Sequence, residues 1–289
     1  MTSDRVWLKS YPQGVPADID PGQYSSLVGL MEESFARYAD RTAYSFMGKD
    51  ISYQRTDEES QAMAAYLQSL GLSKGDRVAV MMPNVPQYPV AVAGILRAGF
   101  VVVNVNPLYT PRELQHQLKD SGAKAIVIIE NFATTLEKCI ASTPVKHVVL
   151  CTMGDQLGLL KGALVNYMVR NVKNLVPAFS LPGAVGFNAA IAMGSKASFK
   201  KADIKADDVA VLQYTGGTTG GGGENNGGAG GGGNNNGGTP LVPGPIEDQV
   251  LPELLRRASE VAVVLYWKSL RSTSGAVVLV PPNRHCSPV

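Results

Sequence analysis

Apolar residues recur along this chain with two alternating periods. "SLVGLMEESFARY", residues 26–38, sets Leu27, Leu30, Met31, Phe35 and Tyr38 at the spacing of one helical face. Thr56 followed by Glu59 in "TDEES" has the form of a capping box, opening a helix that Gly71 closes. "GDRVAVMMP" reads as a turn and a buried strand ending at Pro83, "QYPVAVAGILRAG" as a helix, and "FVVVNVN" as a further strand. In "TPRELQHQLKDSG" Thr110 is the cap, Pro111 takes the first helical position, Glu113 completes a second capping box, and Gly122 is the stop. "AKAIVII" is a strand, "NFATTLEKCI" a helix, and "KHVVL" a strand again; residues 209–214 form the next one.

Strand and helix thus alternate from about Val78 to Leu150. Continuous β-branched runs between amphipathic helices imply an α/β fold, a layered and mostly parallel sheet covered by helices on both faces. Ligands of such sheets sit beyond the carboxyl ends of the strands. "KGALVNYMVRNVKNLVP" aligns Leu164, Val165, Met168, Val169, Val172 and Leu175, with Lys161, Arg170 and Lys173 on the rest. That stripe reads foremost as a core face with a solvated back. A basic amphipathic helix lying on a membrane surface is the alternative. Residues 182–198, rich in small side chains, are expected to be irregular.

Composition narrows the function. The hydrophobic fraction of 45% and charged fraction of 17% are those of an ordinary globular protein. A net charge of +2, with Lys and Arg dispersed, points away from nucleic acid as a partner. Cys139, Cys151 and Cys286 share no metal-like spacing and suit a reducing compartment. The N-terminus shows no signal-peptide core, and "YPVAVAGILRAGFVVVNVNPL" is interrupted by Arg97, Asn104 and Asn106. The expectation is a soluble, cytoplasmic protein. His116, His147 and His285 are too scattered to form a catalytic or metal set, and no metal site is assigned.

The candidate chemistry is concentrated in "YTGGTTG": Tyr214, Thr215, Gly216, Gly217, Thr218, Thr219 and Gly220, directly after a strand. Glycines let backbone N–H groups converge on an anion, and threonine hydroxyls add short donors, a combination suited to polyphosphate. No Lys-Ser/Thr pair follows, so this is not a Walker A loop. A flexible Ser/Thr/Gly turn has the same composition.

From Trp7 to Gly220 the chain resembles the beginning of the bacterial long-chain fatty acid–CoA ligases, members of the acyl-adenylate-forming, AMP-binding superfamily. The resemblance is carried by "VWLKSYP", by the long run from "GDRVAVMMP" through "NPLYTPREL" to "SGAKAIVI", and by "NFATTLEK", "MGDQL" and "LQYTGGTTG". It implies ATP-dependent activation of a fatty acid through acyl-AMP, then thioester formation with coenzyme A, with magnesium sharing the phosphate charge. Residues 214–220 would grip the phosphates. Delivery to a carrier protein stays open as an alternative acceptor, and so does peripheral association with the inner face of the membrane.

The resemblance stops at Gly220. The family continues with two small or apolar residues and a lysine, where this chain has Gly221, Gly222 and Gly223. Up to Gly238 only Gly and Asn follow, apart from Glu224 and Ala229, a composition that predicts disorder. The expected organisation is a partial adenylation domain over 1–220, a disordered Gly/Asn segment over 221–240, and an unassigned tail over 241–289 with a short helix near Pro252 to Glu260. No Tyr-Gly-x-Thr-Glu stretch, ribose-binding aspartate motif or adenylation lysine follows, so the catalytic residues are unknown. The chain is expected to be truncated and inactive, or, in the second reading, a non-catalytic α/β fragment that binds nucleotide weakly at most.

Overall fold

The computed structural model describes residues 5–18, 20 and 22–214, with the backbone of Val277 and Val278. Thr215 to Gly220, the Gly/Asn segment and the helix expected near Pro252 lie outside these residues. A single 3-10 turn, Val6–Ser10, precedes helix α1 (Leu27–Arg37) and the hairpin of β1 (Thr42–Phe46) and β2 (Lys49–Ser52). Helix α2 (Tyr53–Ser69), β3 (Arg77–Met81), α3 (Gln87–Arg97), β4 (Val101–Asn104) and α4 (Pro111–Ser121) follow. Then come β5 (Ala125–Ile129), α5 (Ala133–Glu137), β6 (His147–Cys151) and α6 (Leu159–Tyr167). Two-residue β7 (Val185–Gly186), α7 (Phe187–Gly194) and β8 (Val211–Gln213) complete the succession.

The main sheet runs β7-β6-β5-β3-β4-β8, with β9 (Val277–Val278) beside β8. Every pair is parallel except β8 with β9. Both faces are buried, which is why these strands read as unbroken apolar runs. Val78, Val80, Val102 and Val127 pack under α2, α3 and α7, against Met63, Leu67, Ile95 and Phe187. Ala79, Met81, Val103, Ile126 and Ile128 face the other way, toward Leu114 and Leu118 of α4 and Leu136 of α5. The layered α/β fold expected from the sequence is the fold observed.

Four local expectations are corrected. Helix α2 begins at Tyr53 and not at Thr56: β2 runs straight into it, and the Ser52 hydroxyl accepts from Arg55 N at 3.1 Å as the cap. Thr56 is buried inside the first turns, its hydroxyl donating to Ser52 O, while Glu59 pairs with Arg55. In α1 the buried residues are Val28 and Phe35, whereas Leu27 and Leu30 are exposed. The face is set by its packing on α2 and α3, where the Arg97 guanidinium lies 5.3 Å from the centre of the Phe35 ring.

The stripe on α6 does not form a core face. Of its six residues only Val165 is buried; Leu164, Met168, Val172 and Leu175 are exposed. The helix docks instead through Gly162 and Asn166. Gly154 N donates to Asn166 Oδ1 at 2.8 Å, Asn166 Nδ2 donates to Thr152 Oγ1 at 2.9 Å, and a Cβ on Gly162 would overlap the Gly154 carbonyl. Finally, residues 182–198 contain α7. Its small residues let it approach α2 so closely that a Cβ on Gly194 would overlap the Ala62 carbonyl oxygen. Tertiary packing stabilises this helix, which carries no side-chain cap.

Candidate functional site

The carboxyl ends of β3, β4, β5 and β8 open on one edge of the sheet, since these strands are mutually parallel. Val80, Asn104 and Gln213 stand in register across β3, β4 and β8. The cross-strand neighbours change here from apolar to polar. Asn104 Nδ2 donates to Gln213 Oε1 at 2.9 Å, Tyr88 donates its hydroxyl to Asn104 Oδ1 at 2.9 Å, and Gln213 Nε2 donates to Tyr214 O at 3.3 Å. From the other side of the sheet Gln117, buried on α4, donates to Asn104 O at 2.7 Å. Carboxamides thus connect the end of β8 to α3 and the end of β4 to α4.

Tyr214 is the one residue of the expected phosphate loop among the described residues; Thr215, Gly216, Gly217, Thr218, Thr219 and Gly220 lie beyond them. Its side chain turns to the α4 face of the sheet, half-buried against that core. Its hydroxyl donates to Asp120 Oδ2 at 2.5 Å. Burial, and then the Asp120 carboxylate that holds the proton, push its pKa well above that of an ordinary tyrosine. The phenol is committed to α4.

The neighbouring β4–α4 connection is stiffened by its own chemistry. Asn106 Oδ1 accepts from Leu108 N at 3.0 Å, and the capping box at Thr110 is complete: Glu113 Oε2 accepts from Thr110 N at 2.8 Å and from its hydroxyl at 2.7 Å. Those hydrogen bonds hold the Glu113 carboxyl below its usual range. Gly122 follows in the left-handed conformation, φ 61°, as the stop expected there. His116 is exposed on α4, and His147 opens β6 at the amino end of the sheet, far in the topology from the strand ends that matter here. Among the described residues no group of three or more His, Cys, Asp or Glu could hold a metal ion, and no helix is long and apolar enough to cross a membrane.

Tyr88, Asn104, Gln117, Asp120 and Gln213 were not legible as site-building residues in the sequence. A signal existed for two of them: Asn104 and Gln213 are polar residues inside otherwise apolar strand runs.

A mostly parallel sheet with a glycine- and threonine-rich segment leaving one strand's carboxyl end is the architecture of the adenylate-forming enzymes. The chain belongs to the AMP-binding enzyme family, whose model it matches over residues 31–221. It is 57% identical over 215 residues to the long-chain-fatty-acid–CoA ligase of Escherichia coli O157:H7, a match covering 74% of this chain and 38% of that one. The ligase of the same name from Bacillus subtilis is 35% identical over 221 residues, covering 75% and 39%. The chain therefore spans well under half the length of these relatives. Among solved structures, an anthranilate CoA ligase in complex with anthranoyl-AMP shares the fold with TM-score 0.54 and 19% identity, over 71% of this chain and 34% of that one. A long-chain-fatty-acid-CoA ligase from Archaeoglobus fulgidus does so with TM-score 0.53 and 21% identity, over 71% and 37%.

Proposed function

We propose that this chain carries the polyphosphate-gripping part of an ATP-dependent long-chain fatty acid–CoA ligase, with Tyr214 to Gly220 as the grip. The observation that carries the reading is the position of Tyr214: it emerges at the carboxyl end of β8, and both its hydroxyl and its carbonyl are already engaged. The six residues that follow start where α/β sheets of this kind receive ligands. Backbone amides of Gly216 and Gly217 and hydroxyls of Thr215, Thr218 and Thr219 would hold the β- and γ-phosphates. That grip orients the α-phosphorus for attack by the fatty carboxylate and stabilises charge on the departing pyrophosphate. Coenzyme A is the acceptor in this reading, and the fatty acid the substrate. Magnesium would accompany the phosphates, because this cation is usually held by one or two carboxylates together with substrate oxygens.

One feature favours nucleotide binding without turnover. Gly221 to Gly223 stand where the resemblance places two small or apolar residues and a lysine, so no cation from that position reaches the polyphosphate. Titration calorimetry with ATP and magnesium tests the grip: the T218A/T219A variant should bind several-fold more weakly, and equal affinity would refute the assignment. A hydroxamate assay with palmitate, ATP and magnesium tests turnover separately, and no product is expected from this chain alone.

A further inference from the structure

The amino edge of the main sheet, opposite the edge where the glycine-threonine segment begins, carries a row of cations. Arg77 opens β3, and Lys124 and Lys146 immediately precede β5 and β6. The three stand in register: Lys124 N donates to Arg77 O at 2.9 Å, and Lys146 N donates to Lys124 O at 2.8 Å. His147 follows as the first residue of β6. Adjacent strands lie about 4.8 Å apart, and like charges side by side on them repel. Such a row calls for counter-charge.

Two of these groups are answered within the chain. Arg77 donates to the carbonyls of Ser121 and Gly122 at 2.7 and 3.2 Å, where the end of α4 concentrates negative partial charge. Lys124 Nζ lies 2.8 and 2.9 Å from the two carboxylate oxygens of Asp76, which also accepts from Ser73 N. The Lys146 ammonium and the His147 ring have no partner among the described residues. Both, together with Lys124, line a cleft of about 400 Å³ whose other walls include Leu70, Leu72 and Pro144. No Asp or Glu lines it. A cleft that presents three nitrogen groups and alkyl walls, without an acid, fits a doubly charged anion joined to an apolar body.

We propose that this cleft binds a small phosphate monoester, with the phosphate on Lys146, His147 and Lys124 and the esterified group against Leu70, Leu72 and Pro144. Substrates of parallel sheets gather at the opposite edge, so the site is separate from the phosphate grip and does not rest on it. The probe is phenyl phosphate, titrated calorimetrically into the full 289-residue chain. Binding should weaken as salt rises. It should survive unchanged in T218A/T219A, which separates this site from the grip. K146Q should weaken it about tenfold, the worth of one charge-assisted hydrogen bond. Lys146 is exposed, so the far-ultraviolet circular dichroism of that variant should match the parent. A second readout locates the ligand: the Hε1 resonance of His147, identified by its absence in H147Q, should move on titration, while that of His116 on α4 stays. Inorganic phosphate, which lacks the apolar group, should bind several-fold more weakly. The proposal is overturned if phenyl phosphate leaves the His147 resonance in place, if K146Q binds like the parent, if T218A/T219A abolishes binding, or if inorganic phosphate binds as tightly as the ester.

Discussion

At the last paired step of β4 and β8, the Asn104 carboxamide reaches Gln213 at 2.9 Å, across 109 residues of sequence. The same carboxamide accepts from Tyr88 of α3, so the strand that launches the glycine-threonine segment is tied to a helix as well as to a sheet. A half-buried polar relay of this kind rigidifies what it joins when its members are paired.

Replacing Asn104 with leucine keeps the branched shape of the side chain and removes its hydrogen-bonding groups. The Gln213 carboxamide and the Tyr88 hydroxyl each lose a hydrogen bond in a half-buried place, and stability should fall by about 1 kcal/mol. Urea denaturation measures this. If the proposed grip is correct, ATP affinity should fall in the same variant even where it is fully folded, because the base of the loop loosens.

Tyr44 provides a pH signature. Burial, with Tyr53 adding to it, pushes its pKa up to about 12 from an ordinary 10.0. A pKa raised on folding contributes stability that is whole below the unfolded value and is lost as pH climbs through the folded one. Stability of the chain should therefore decline between these two values, and Tyr44→Phe should flatten the decline. Tyr214 shifts in the same direction through burial and Asp120, so Tyr214→Phe should flatten it further. Denaturant midpoints collected from pH 9 upward would show no difference between parent and variants if these phenols were free.

Gly94 sits where α3 crosses α2. An added Cβ would lie 2.7 Å from Met63 Cβ and 2.8 Å from Met63 Cγ, closer than atoms pack. Alanine normally improves a helix interior by roughly 0.5–1 kcal/mol. Here Gly94→Ala should instead destabilise by about 1–3 kcal/mol, the range for overpacking. A rise in the thermal midpoint would contradict the close crossing.

Arg97 is almost wholly buried and ties together three helices. Its guanidinium donates to Asp57 O at 2.8 Å and to Ser60 Oγ at 2.9 Å, bonds the Asp57 carboxylate, and lies 3.6 Å from Glu32 of α1. Truncation to alanine should cost about 1–3 kcal/mol, since it leaves buried Ser60 without its partner while the Asp57 and Glu32 carboxylates, 39% and 28% exposed, turn to water. Arg97→Lys should restore little, because an ammonium cannot serve several acceptors spread around a planar fork. Recovery of parental stability by lysine would mean the charge alone matters.

Much of the fold was legible from local pattern. Apolar runs of strand length alternating with helical stripes identify β3 to β6 and the helices between them, because both faces of a parallel sheet must be dry. The two capping-box patterns show the limit of that reading. Thr110 and Glu113 form theirs, with hydrogen bonds in both directions, whereas Thr56 and Glu59, with the same spacing, lie inside a helix already started by Ser52. Spacing alone cannot say whether the chain arrives at a threonine extended or already coiled. That is decided upstream, by where β2 ends.

Sequence by itself determined the class of fold, the succession of strand and helix, and the glycine-threonine segment at the end of β8, because period and turn chemistry are properties of neighbours along the chain. Tertiary structure alone decided which sides of α1 and α6 meet the interior, that residues 187–194 form a helix, and that Asn104, Gln213 and Tyr88 share one relay. These depend on contacts between residues far apart in sequence: the close approach of Gly154 to Gly162 leaves no room for the leucines of α6, and turns them to the outside.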